Sequence, residues 1–427
     1  MDQLPPLGKA ISQIILPTFK AYSPLLRQNS ETIKSTRRET FPYGPHPRQQ
    51  LDVYTPSRPS LSSPSPSPSL LSPSSPPTST ADKKTPLPVT HNPNSVFIFL
   101  YGGGFVNGAK ILPNYPETGS GQGLVYANLG HFFAENLGIK TVVIDYRLIS
   151  HGAKFPSGGQ DLELAIEWIV DNLNSNSNSN SNSPTANDDD DEHAPPPPPL
   201  DLYIMGNSAG GVHLATYLLA PDFAESRRRL LSSSIRAADN SSSTDIKSKA
   251  HQARLKGVIF LSVPFHFDHA LPERKPTLAA YYGDDRDHDD DVRSKAPLGL
   301  LRASRESDGS RSIIIPLLQD VSVLVLKGSL DPEDEILGPT ADFVDEWLRQ
   351  KKTNETEDND DDQSGRNAST TSDRSLSLSP SNLEVEMMLG QHNHISPVLS
   401  LGTGIPDEEA WGRRVVDFVA TTSHARR

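Results

Sequence analysis

The chain has no cysteine among its 427 residues. That absence excludes a disulfide framework, a cysteine nucleophile, a Cys-ligated zinc site and an iron–sulfur cluster. Apolar residues are also scarce, at 35 % against about 45–50 % in ordinary globular domains. No window approaches the roughly 18 consecutive apolar residues of a membrane span. The N-terminus lacks the basic, unbroken apolar pattern of a leader, being interrupted by Pro5, Pro6 and Pro17. Basic runs of the kind that grip nucleic acid are missing too, Arg227 to Arg229 being too short. A cytoplasmic protein without a nucleic-acid partner or a membrane span is therefore expected.

Proline is abundant instead, with 38 residues, about twice the usual share. The net charge of −13 is concentrated. The runs 188–192, 355–362 and 284–291 carry −5, −6 and −5, so the remainder is close to neutral. Such runs read as solvated loops. Four stretches have the composition of disordered insertions: 57–84 (Ser/Pro), 172–199 (Asn-Ser repeat, Asp cluster, five prolines), 231–253 (Ser-rich) and 353–381 (acidic, then Ser/Thr-rich). None shows the apolar periodicity needed to offset its ordering entropy. They leave about 315 residues, enough for one large α/β domain spanning 1–427.

Within that remainder, short apolar runs alternate with helical patterns. Val96–Leu100, Lys140–Asp145, Leu200–Met205, Gly257–Leu261, Val321–Lys327 and Leu383–Leu389 read as buried strands. Asp161–Val170, Val212–Leu219, Ala341–Leu348 and Glu408–Val419 carry apolar residues at helical spacing. This alternation predicts a mostly parallel sheet with right-handed crossovers and helices on both faces. Glu39–Pro56 reads as an antiparallel hairpin at its edge.

Chemistry concentrates at Gly206-Asn207-Ser208-Ala209-Gly210, directly after an apolar run and opening a helical pattern. A serine at such a junction must sit on a sharp, strained turn, which leaves no room for side chains two residues either side. In a chain this rich in glycine and serine the pentapeptide alone is weak; its place between strand and helix gives it weight. A second glycine-rich turn, Tyr101-Gly102-Gly103-Gly104-Phe105, follows an upstream strand. Backbone N–H groups of Gly103, Gly104 and Ala209 are the expected oxyanion hole.

With these two motifs the chain resembles the α/β-hydrolase superfamily, and more narrowly its HGGG-containing branch of hormone-sensitive-lipase-like carboxylesterases and kynurenine-formamidase-like enzymes. It departs from that pattern at Tyr101, where the branch has His, and at Asn207, where Asp or His is common. The resemblance implies an acid after the strand Val321–Lys327, and its Asp-Pro pattern favours Asp331 over Glu333, Asp334 and Glu335. It also implies a base after the last strand. His394, preceding Ile395-Ser396, is preferred there, with His392 competing. Histidine titrates near neutrality, so it can take and return the serine's proton. Asp145-Tyr146-Arg147 resembles the branch's structural Asp-Tyr-Arg element, Asp161 and His213 read as structural, and His266 and His269 read as loop contacts, with lining of the substrate pocket as the alternative. No metal spacing and no dinucleotide motif is present, so neither metal nor cofactor is expected.

These residues predict a serine hydrolase cleaving a small-molecule carboxylic ester through Ser208, His394 and Asp331. Hydrolysis of an aryl formamide is the near alternative, and a non-catalytic binding module on the same scaffold the distant one. Met1–Lys34 reads as a cap over the site or a docking helix. Substrate and oligomeric state are not legible in these patterns.

Overall fold

In a computed structural model of the chain, described over residues 3–57, 94–112, 123–174, 199–231, 252–283, 288–305, 311–361 and 382–424, eight strands form one sheet. They are β1 (Arg37–Pro42), β2 (Gln50–Thr55), β3 (Ser95–Leu100), β4 (Lys140–Ile144), β5 (Leu200–Asn207), β6 (Ala253–Leu261), β7 (Ser322–Lys327) and β8 (Leu383–Met387), in spatial order β1-β2-β4-β3-β5-β6-β7-β8. The first hairpin pairs antiparallel and lies antiparallel on β4; every other neighbour is parallel. This is the α/β-hydrolase architecture, with the predicted hairpin in place.

The central strands β3 and β5 are buried along their whole length, because both faces of the sheet are covered. Their alternating side chains feed two cores. Val96, Ile98 and Leu100 pack with α4 (Ser157–Leu173) and α5 (Ala209–Leu219). Phe97, Phe99 and Tyr101 pack with α1 (Ile11–Gln28), Ile33 of α2 (Ser30–Ser35), α3 (Ala127–Leu137) and the C-terminal helix Ala410–His424.

Residues 1–34, expected as a cap or a docking helix, hold helix α1, which continues through Pro17 and Pro24. Burial of Ile14, Phe19, Tyr22 and Leu26 along one face outweighs the backbone bonds those prolines remove. The structure corrects the sequence reading in two places. The acidic run 284–291 is not all loop: its last residues enter the helix His288–Lys295, where Asp291 and Lys295 form an ion pair of 3.0 Å. The segment 353–381 begins inside the helix Gly338–Asp361. Most of 57–84, 172–199 and 231–253, and the rest of 353–381, lie outside the described residues. Among the described residues no helix is long and apolar enough to cross a membrane.

Candidate active site

Ser208 stands between β5 and α5 with φ +49° and ψ −122°, a backbone conformation few non-glycine residues adopt. Its neighbours explain how the turn closes. A Cβ on Gly206 would stand 2.6 Å from Gly211 Cα, and one on Gly210 2.3 Å from the carbonyl oxygen of Leu100. The turn is pinned from the adjacent strand: the Ser208 amide and the Asn207 side-chain amide both donate to the Leu261 carbonyl, each at 3.0 Å. Asn207 thus braces the elbow.

His394 reaches the serine from the opposite side. Its Nε2 lies 2.9 Å from Ser208 Oγ and its Nδ1 3.0 Å from Asp331 Oδ1. The buried carboxylate requires a donor, which places the proton on Nδ1 and leaves Nε2 to accept from the serine. The other oxygen of Asp331 accepts the Ser262 hydroxyl and the Gly328 amide, both at 2.7 Å. Asp331 has no solvent exposure, so these three donors compensate its charge.

The competing residues occupy other positions. Glu335 pairs with Arg274, while Glu333 and Asp334 are exposed. The ring of His392 lies 3.0 Å from Ser396 Oγ, and its carbonyl accepts the Leu330 amide at 3.0 Å, steadying the loop that carries Asp331. Burial pushes the His392 imidazole down to about 4. His213 is buried behind the site beside the Tyr281 hydroxyl at 3.2 Å, and burial lowers it to about 3. Asp161 receives Gln49 and Arg147 and is structural. His266 lies in the cavity wall, bonded to Asp342 at 3.0 Å and to the Asp268 amide at 3.3 Å. Among the described residues no cluster of three or more His, Asp or Glu could hold a metal ion.

The glycine-rich turn reaches Ser208 directly: a Cβ on Gly102 would stand 2.9 Å from Ser208 Cβ. The backbone has positive φ at Gly103 (142°), Gly104 (60°) and Phe105 (68°). A Cβ on Gly103 would fall 2.0 Å from the Asn107 carbonyl oxygen, which only glycine avoids. Ala209, as the first residue of α5, has an amide with no acceptor inside the helix and faces the positive end of its dipole.

Tyr101 opens this turn. Its hydroxyl donates to Asp145 Oδ1 at 2.7 Å and accepts from Arg48 Nη2 at 2.7 Å. Burial holds its phenol well above the ordinary tyrosine range. Ser208, His394, Gly103, Gly104 and Ala209 line one cavity of about 590 Å³. Its wall is mostly apolar: Ile11, Ile15, Leu16 and Phe19 from α1, Phe105 and Val106 from the turn, and Leu271 and Leu278 around the helix Lys275–Tyr282. Four of these residues, Ile15, Leu16, Val106 and Leu271, remain 37–45 % exposed.

Sequence reasoning missed Ser262 and Arg48. Ser262 also has positive φ, 48°, at the end of β6, and only the neighbouring-strand geometry shows that its hydroxyl meets Asp331. Arg48 lies in the hairpin loop, with no local signal linking it to a turn more than fifty residues away.

No family model matches the chain, and no curated protein does. Solved structures resemble it in overall path. Esterase B from Lactobacillus rhamnosis overlays with a TM-score of 0.43 at 11 % identity, over 95 % of this chain and 94 % of that one. An esterase from Rhizomucor miehei gives 0.46 at 13 %, over 96 % and 91 %. A truncated carbohydrate esterase from gut microbiota gives 0.44 at 12 %, over 91 % and 96 %. At this level of likeness the side chains, not the neighbours, decide what the site can do.

Proposed function

We propose that the chain is a serine hydrolase cleaving a carboxylic ester through an acyl-enzyme. The observation that carries this reading is the continuous chain Ser208–His394–Asp331, with contacts of 2.9 and 3.0 Å, opening beside the glycine turn. Ser208 Oγ attacks the carbonyl carbon while its proton passes to His394 Nε2. The amides of Gly103, Gly104 and Ala209 stabilise the oxyanion. Its collapse breaks the bond to the alcohol oxygen, which takes the proton from the imidazolium. Water then attacks the acyl-serine, gives a proton to His394 and releases the carboxylic acid as Ser208 Oγ regains that proton. Asp331 stabilises the transient imidazolium without becoming protonated.

The largely apolar wall supports a substrate with an aliphatic or aromatic chain, beside which Glu273, Arg274, Asp334 and Glu335 also line the cavity. Residues Ile11 to Phe19 of α1 supply much of that wall, which supports a capping role for the N-terminal segment. A fluorophosphonate probe should label the wild-type protein and not Ser208→Ala, and p-nitrophenyl butyrate turnover should follow the same pattern. A folded wild-type protein that shows neither would overturn the assignment.

A further inference from the structure

The phenol of Tyr101 occupies a place unlike that of an ordinary core tyrosine. Arg48 Nη2 donates both to Tyr101 Oη at 2.7 Å and to the Gly108 carbonyl at 3.0 Å. One guanidinium nitrogen therefore touches the first residue and the last of the segment 101–108. Asp145 Oδ1 completes the arrangement by accepting the Tyr101 hydroxyl and the Lys110 amide. The ring is stacked between Tyr146, at 4.7 Å, and Tyr126, at 5.3 Å. Gly108 lies on it so closely that a Cβ there would fall 2.4 Å from a ring carbon. At the other end of the residue, the Tyr101 carbonyl accepts the Tyr146 hydroxyl at 2.7 Å and abuts Gly210 in the nucleophile helix.

We propose that Tyr101 is the positioning residue of the oxyanion turn, held by Arg48 and Asp145 so that a single clamp fixes both ends of residues 101–108 against the elbow that bears Ser208. The inference rests on the serine-hydrolase reading. Tyr101 touches no reacting atom; it acts through the amides of Gly103 and Gly104. Those donors stabilise developing charge only if they already stand where the oxyanion forms, and small misplacements are costly. Without the hydroxyl, Asp145 loses a donor and Arg48 an acceptor, and the start of the turn is released.

The test uses the full chain with Tyr101→Phe, Tyr101→His and Arg48→Lys. Sites are counted by fluorophosphonate titration, and turnover of p-nitrophenyl butyrate is expressed per titrated site. Losing an oxyanion donor outright costs about 10²–10³ in kcat, so a misaligned pair should cost less. Tyr101→Phe is expected to lower kcat about 10- to 100-fold, leave KM within about twofold, and weaken an arylboronic acid by the same factor as kcat/KM. Tyr101→His, which restores a ring N–H toward Asp145, should recover part of the loss, and Arg48→Lys should show the same kcat-specific defect. Unchanged kcat per site and unchanged boronate affinity in Tyr101→Phe, with only the number of titratable sites reduced, would overturn the proposal and leave Tyr101 a packing residue. A wild-type protein that neither labels nor turns over substrate would instead remove the serine-hydrolase reading, and the clamp's role with it.

Discussion

The floor of the cavity and its wall are built on different terms. On the floor, Ser208, His394 and Asp331 are fixed by short polar contacts and by glycines that no other residue could replace without collision. Along the wall, Ile15, Leu16, Val106 and Leu271 are partly exposed, and apolar contacts dominate. Hydrogen bonds are directional and fail over fractions of an ångström, whereas apolar packing tolerates change of shape at constant volume. Substitutions on the floor should therefore change the rate of chemistry, and substitutions in the wall should change which substrate enters.

The largest effects belong to the floor. Ser208→Ala and His394→Ala should each reduce turnover by about 10⁶, the scale seen when a nucleophile or base is deleted from such a unit. His392→Gln, only two residues from His394, should keep fluorophosphonate labelling and lose no more than about tenfold, because its ring serves Ser396. Were His392 the base, this ranking would reverse. Asp331→Asn should cost about 10⁴ in kcat by offering the wrong hydrogen-bond character to His394 Nδ1. Ser262→Ala removes one of three donors to Asp331. It should cost about tenfold, the scale of one hydrogen bond to a charged group, and a loss as large as that of Asp331→Asn would show that Ser262 does more than hold the acid.

The same contrast governs what was legible before the fold was known. Floor residues announce themselves because backbone geometry is local: Gly206, Gly210 and Gly103 are demanded by contacts that their own turns create. Strands β3 to β7 were readable for a related reason, since burial on both faces leaves continuous apolar runs. The wall resisted. Residues 1–34 read as a cap or a docking helix without showing which face meets the site, and the helices Lys275–Tyr282 and Pro297–Ala303 carry a proline at their starts and little apolar periodicity. Their stability comes from distant partners, such as the packing of Phe105 on Tyr281 at 4.4 Å, which no sequence window contains. Ser262 and Arg48 escaped for the same reason, as their roles exist only across strands.

Smaller effects belong to the wall. Phe19→Ala should lower kcat/KM for p-nitrophenyl octanoate about tenfold and that for the acetate less than twofold, because losing apolar contact in a pocket changes discrimination by about 1–3 kcal/mol. Equal losses for both esters would mean that α1 shapes the floor as well. That outcome has a physical route: Asn393, between the two histidines, donates to Thr18 of α1 at 2.9 Å. Thr18→Val probes it directly, since losing that contact should lower kcat for the acetate only if α1 helps to hold His394.

The smallest effect concerns two histidines that the proposed chemistry does not use, one behind each region. Burial depresses His392, behind the floor, to about 4 and His213, behind the wall, to about 3, against about 6.5 in an unfolded chain. Between those values the unfolded state binds protons that the folded state refuses, so stability rises with pH. The advantage of the neutral rings is complete above about pH 6.5 and is lost progressively as pH falls toward their folded values. Melting temperature should therefore decline on acidification from pH 7 to 4, and His392→Gln should flatten that decline while shifting its neutral-pH value little. A variant with the wild-type slope would show that the His392 ring is protonated in the fold despite its burial, and that the loop carrying His394 is more open to water than the wall around His213.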